Sequence, residues 1–124
     1  MFKRIKFEIK GAMGGGREVE IWTGDDNKIH YKKAGVDYGW FFVPSPEGIS
    51  ELSVDSFSRS LGLLNVSTWK KHYEPVGYMV LDGRHWALTY ETTDGPAITK
   101  TGENAYPKNW EEFLAALEMV VGEF

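Results

Sequence analysis

No cysteine occurs among the 124 residues. Disulfides and thiolate metal sites are therefore excluded, and the fold must stand on packing alone. The absence fits a reducing compartment, and a cytoplasmic location is expected. Long apolar runs are missing too: none approaches the ~20 residues of a membrane-spanning helix, so no membrane partner is expected. Met1-Phe2-Lys3-Arg4-Ile5-Lys6 alternates charge with apolar groups, unlike the unbroken apolar stretch of a signal peptide. An excess of basic charge is also lacking, because the net charge is −4. A phosphate-binding protein normally presents a basic face. Here residues 1–35 are net basic through Lys3, Arg4, Lys6, Lys10, Arg17, Lys28, Lys32 and Lys33, while the remainder is acidic. Those lysines read as the wet side of a half-buried sheet, and nucleic acid is not the expected partner.

Aromatic residues are abundant, at 15% of the chain, and apolar residues reach 42%. Such a composition argues against disorder. It can furnish a core for one domain spanning residues 1–124, since domains commonly run to ~100–150 residues. Ile5, Phe7 and Ile9 alternate with Arg4, Lys6, Glu8 and Lys10, the period-two pattern of a strand with one wet face. Gly14-Gly15-Gly16 interrupts, and residues 17–23 alternate again with Val19 and Ile21 opposed to Glu18, Glu20 and Trp22. Gly24-Asp25-Asp26-Asn27 is a turn cluster. Ile29 and Tyr31 mark a third strand, which Ala34-Gly35 is expected to end. Tyr38 to Val43 is the most apolar run.

Val54, Phe57, Leu61 and Leu64 then recur at helical spacing, with Ser50 or Ser53 as the cap and Gly62 as a weak point. Trp69 and Tyr73 share a face if residues 67–73 form another turn of helix. A second strand unit starts at Tyr78, turns at Asp82-Gly83 and again at Asp94-Gly95, and carries Trp86, Leu88 and Tyr90 on one side. Asn109 followed by Glu112 has capping-box spacing, and Trp110, Phe113, Leu114, Leu117 and Val121 form a stripe. One striped face per helix must leave water. The expectation is an α+β fold, with an antiparallel sheet of about six strands in two meanders and two amphipathic helices packed on one face.

Asp82-Gly83-Arg84-His85-Trp86, the following hairpin and Gly102-Glu103-Asn104-Ala105-Tyr106-Pro107 before the last helix form a pattern of the type D-G-x-x-W with G-x-N-x-Y-P. This resembles a group of small uncharacterised proteins common in Firmicutes. The resemblance spans most of the chain and implies an α+β domain of bacterial origin. It implies no activity and brings no catalytic residues with it.

Chemistry is sparse. The Gly-rich turn leads into a strand, whereas a phosphate loop leads into a helix, and no Gly-Lys-Ser/Thr follows. His30, His72 and His85 are far apart, and none forms His-x-x-x-His, so helical zinc spacing is absent. A site assembled only in three dimensions is left open. No Gly-x-Ser-x-Gly elbow exists. Asp25-Asp26 suits a turn, and Glu111-Glu112 suits a helix start, where acids favour the dipole. No metal, cofactor or catalytic residue is expected.

Two readings remain. Five Trp, six Tyr and seven Phe exceed what a two-layer core of this size needs. The first reading is therefore a non-enzymatic binding or interaction module, with a protein partner or a homodimer, since exposed aromatics anchor interfaces. Trp22 and Trp40 are candidate anchors. The alternative is a small-ligand pocket or minor enzyme in a polar-aromatic cleft, with Trp69, Tyr73, His85, Trp86, Asn104 and Tyr106 as candidate binding residues.

Overall fold

The computed structural model describes residues 2–11, 16–37, 41–44, 47–74 and 84–122. Gly14 and Gly15, Trp40, the strand start at Tyr78 and the Asp82-Gly83 turn lie outside them. The described elements run β1 (Phe2–Gly11), β2 (Gly16–Thr23), β3 (Ile29–Asp37), β4 (Phe41–Pro44), β5 (Gly48–Ser50), α1 (Val54–Leu64), β6 (His72–Tyr73), β7 (Arg84–Thr92), β8 (Ile98–Glu103) and α2 (Trp110–Val121). A short 3-10 turn at Val66–Thr68 follows α1.

The strands form one sheet in the order β4-β3-β2-β1-β7-β8-β6, with β5 on the same edge of β3 as β4. The two strand units are joined by β1 pairing with β7. The expected α+β class with two helices holds, but the sheet differs from an antiparallel sheet of about six strands. Eight strands are present among the described residues, and the sheet is mixed, because β6 runs parallel to β8. Two residues are too few for a periodic signal, and a parallel neighbour distant in sequence leaves none. Residues 67–73 are accordingly not a further helix. Nor does Ala34-Gly35 end β3: Gly35 pairs with Arg17 on one side and Val43 on the other. Two ladders hold the backbone there despite its weak strand propensity.

The registers line the core-facing side chains into rows. Ile21, Ile5 and Tyr90 form one row; Val19, Phe7, Leu88 and Lys100 the next; Ile9, Trp86, Gly102 and Tyr73 a third. Strict alternation would put Phe2 on the wet face with Arg4. A register shift between Phe2 and Arg4 inserts an extra residue, and Phe2 is buried. This is the turning effect of a β-bulge.

Both helices contribute to the same core as these rows. Ser53 caps α1 by accepting from Ser56 N at 3.0 Å. Its buried Val54, Phe57, Leu61 and Leu64 are the expected stripe, with the Phe57 ring edge-on to Phe2 at 5.0 Å. The helix runs past Gly62 and stops at Asn65, which is left-handed at φ 50°. In α2 the fully buried set is Phe113, Ala116, Leu117, Val120 and Val121, with Trp110 and Leu114 half-buried at its margin. Each large apolar side chain so buried contributes about 1.5–3 kcal/mol. Asn109 occupies the cap position but makes no capping bond.

Candidate functional site

The end of the sheet where β6, β7 and β8 meet gathers most of the sequence-predicted candidates, but on two opposite faces. On the helix side lies an aromatic cluster. Trp86, 2% exposed, has its ring 4.7 Å from Trp110, 6.1 Å from Trp69 and 6.1 Å from Tyr73. Trp69, 6% exposed, stands edge-on to Phe113 at 5.2 Å. Tyr106 extends the cluster outward, 4.9 Å from Trp110, and is 38% exposed. Such edge-on and tilted contacts suit the ring quadrupoles.

The polar atoms of Trp86, Trp69 and Tyr73 are engaged internally. Trp86 Nε1 donates to Ala105 O at 2.9 Å, and Trp69 Nε1 donates to Asn109 Oδ1 at 2.9 Å. Tyr73 Oη accepts from Lys70 N at 3.0 Å, and the Lys70 ammonium lies 5.8 Å over its ring. Asn104 is left-handed at φ 53°. Its Oδ1 accepts from Arg84 N at 2.8 Å while its own N donates to Arg84 O at 2.9 Å. Four of the six candidates therefore share one aromatic cluster (Trp69, Tyr73, Trp86, Tyr106), and Asn104 closes the ladder end beside it. Lys100, which composition and pattern did not single out, is buried on the same side and donates from Nζ to Trp69 O at 2.7 Å.

His85 is not among them. It follows the pleat to the other face, where its Nδ1 is 3.4 Å from Glu103 Oε1. There it joins a group that the sequence reading missed. His72, Glu74 and Glu103 each offer one ligand atom, all within 4.8 Å of one another. His72 Nδ1 lies 2.7 Å from Thr101 Oγ1. The signal was available as His-x-Glu, which places both side chains on one face of a strand, but residues 67–73 read as helix.

The uncovered face carries a second feature along its length. Ile49 on β5 pairs with His30 on β3, His30 with Trp22 on β2, and Trp22 with Arg4 on β1. The Trp22 and His30 rings stack at 5.8 Å, and the Arg4 guanidinium sits 5.5 Å over Trp22. Ile49 is 55% exposed. Beside this row run the ion pairs of Arg4 with Glu20 and of Lys32 with Glu20 at 3.6 Å, while Lys10 pairs with Glu8 at 3.5 Å toward the other end of β1. His30 Nε2 reaches the two Asp26 oxygens at 2.9 and 3.1 Å. That hydrogen bond holds the Asp26 carboxyl below its ordinary value.

An open depression of about 410 Å³ lies elsewhere, between α1 and the end of β7, lined by Phe2, Asp55, Ser58, Arg59, Gly62 and Tyr90. None of the six candidates lines it. No described helix is long and apolar enough to cross a membrane. No family model matches the chain, and neither a curated protein nor a solved structure matches it.

Proposed function

We propose that the chain is an interaction domain rather than an enzyme, and that it associates with a second copy of itself through the uncovered face of the sheet. The observation that carries this reading is the row Ile49–His30–Trp22–Arg4 crossing a face on which neither helix packs. A row with an exposed Ile at one end, a stacked His and Trp at its middle and ion-paired charges beside it offers an aromatic anchor with a polar rim. The surrounding charges are of both signs, so a two-fold arrangement that sets a base of one copy against an acid of the other is open to this face. Strands of 2 to 10 residues, at a rise of about 3.3 Å per residue and a spacing of about 4.8 Å, give a face on the order of 800 Å², close to the ~800 Å² each partner supplies to a stable interface. The Firmicutes-like elements add a fold and a bacterial origin to this reading, and no activity.

Light scattering over a protein concentration series, with a chelator present throughout, tests the reading. A dimer that Trp22→Glu or Ile49→Lys converts to monomer supports it. A strict monomer across the series, or a dimer indifferent to both substitutions, sinks it.

A further inference from the structure

We propose that the corner of the uncovered face formed by β6, β8 and β7 binds a borderline divalent metal ion of the Zn²⁺ type, with His72, Glu74 and Glu103 as its protein ligands. The placement follows from the registers. His72 pairs with Thr101 and Tyr73 with Gly102 in the parallel β6–β8 ladder, while His85 pairs with Glu103 in the β7–β8 ladder. Tyr73 points into the aromatic cluster, so His72 and Glu74 point the other way, as do Thr101 and Glu103. Five groups able to ligate or to orient a ligand, His72, Glu74, Thr101, Glu103 and His85, thus come from β6 and the residue after it, β8 and β7 to one corner. One ligand atom each from His72, Glu74 and Glu103 falls within 4.8 Å of the others, so that small side-chain rotations bring all three to the bond lengths of about 2.0–2.2 Å that one ion requires.

Two further observations favour a cation over a plain surface cluster. Among the described residues, neither Glu74 nor Glu103 pairs with a Lys or Arg; the nearest lysine along the registers, Lys10 across from His85, is engaged with Glu8 and Glu18 instead. Both neighbours of the ligand set are also in orienting positions. His72 Nδ1 lies 2.7 Å from Thr101 Oγ1, and in the tautomer where Nδ1 donates to that hydroxyl Nε2 is the ligating nitrogen; His85 Nδ1 sits 3.4 Å from Glu103 Oε1. Hydrogen-bonded imidazole and carboxylate of this kind are the usual outer support of metal ligands. One imidazole with two carboxylates suits Zn²⁺ or Co²⁺ better than Mg²⁺ or Ca²⁺, which take oxygen ligands alone. Three protein ligands leave a coordination position for water or for a donor from another molecule. β6 is tied to β8 by only two register pairs, so an ion here also staples that edge.

The test is isothermal titration of chelator-stripped protein with ZnCl₂, paired with the visible spectrum on adding CoCl₂. One equivalent of Zn²⁺ is expected to bind, to give a cobalt d–d band and to raise the melting temperature. His72→Ala and Glu103→Gln are expected to weaken binding by at least about tenfold and to abolish the band. Glu74→Gln, beyond the end of β6, provides a variant that leaves the ladder intact. His30→Ala, on the same face but far along the sheet, leaves binding unchanged. Absence of binding to the wild type overturns the proposal. So does one-equivalent binding that survives His72→Ala, Glu74→Gln and Glu103→Gln, or binding that Mg²⁺ matches.

Discussion

The Trp69 indole donates to the Asn109 side-chain oxygen at 2.9 Å, and the same Asn109 amide donates onward to Leu64 O at 2.8 Å. One side chain thus ties the last turn of α1, the segment after it and the start of α2. Asn109→Ala removes both bonds and leaves the Trp69 N–H and the Leu64 carbonyl without their partner. Stranded polar groups of this kind cost about 1–3 kcal/mol each, less where water reaches them. A loss of about 2 kcal/mol is expected in urea unfolding. Trp69→Phe deletes the donor, so the double variant is expected to fall short of additivity by about 1 kcal/mol. Strict additivity would show that the two side chains act separately.

Gly102 is held to its identity by close approach. A Cβ there would overlap the Trp86 indole at Nε1 and come within 2.7 Å of Ala105 O, the two atoms that hydrogen-bond to each other. Gly102→Ala must push the Trp86 ring off that bond. Overpacking alone costs about 1–3 kcal/mol, and the lost bond adds about 1 kcal/mol. The midpoint of unfolding is expected to drop, together with a changed near-UV dichroism of the Trp cluster. An unaltered near-UV spectrum would rule out this account of the glycine.

These two relationships mark where the sequence stops being readable. The Ile5-Phe7-Ile9 alternation, the α1 stripe and the α2 stripe are local patterns, and each places its residues as read. Asn109 carries the spacing of a cap, yet a partner 40 residues away in sequence takes its side chain instead. Phe2 is inside because a bulge resets the pleat, and nothing in Phe2-Lys3-Arg4 announces an extra residue. The His72–Glu74–Glu103 group depends on which strand lies beside β8, a fact that only long-range pairing supplies. Among the candidate residues, Trp86 is buried on the side that its alternation with Leu88 marks, whereas Trp69 lies in no strand or helix and is covered by Phe113 and Trp110 of α2, a contact with no local signature.

Asn104 belongs to a pattern that local chemistry does explain. The non-glycine residues with positive φ among those described are Asn27, Asn65 and Asn104, and Asn accepts the left-handed region through bonds to nearby backbone. At position 104 the side chain also closes the β7–β8 ladder through Arg84 N. Asn104→Gly keeps the backbone geometry and loses one bond. Asn104→Ala loses the bond and strains φ, for a total of about 2–3 kcal/mol. The expected order of unfolding midpoints is wild type, then Gly, then Ala. Alanine matching glycine would mean that φ at this position relaxes.

Tyr90 sets an alkaline limit on stability. Burial pushes its hydroxyl above the ordinary value of 10.0, because the phenolate is disfavoured where β7 meets α1. Above that ordinary value the unfolded chain has released a proton that the native chain still holds. Stability then falls with rising pH, by the linkage between proton binding and folding. Its contribution is intact below pH 10.0 and is lost as pH climbs through the raised native value. Tyr90→Phe cannot ionise. The difference in unfolding free energy between wild type and Tyr90→Phe is expected to be flat between neutrality and pH 9, within the ordinary protonated range of tyrosine. It should then shift in favour of Phe as pH passes 10.0. Because the ring is only partly buried, the slope is modest, and urea titrations at closely spaced alkaline pH are needed to see it. A difference that stays constant through the alkaline range would show that the native phenol ionises as freely as the unfolded one.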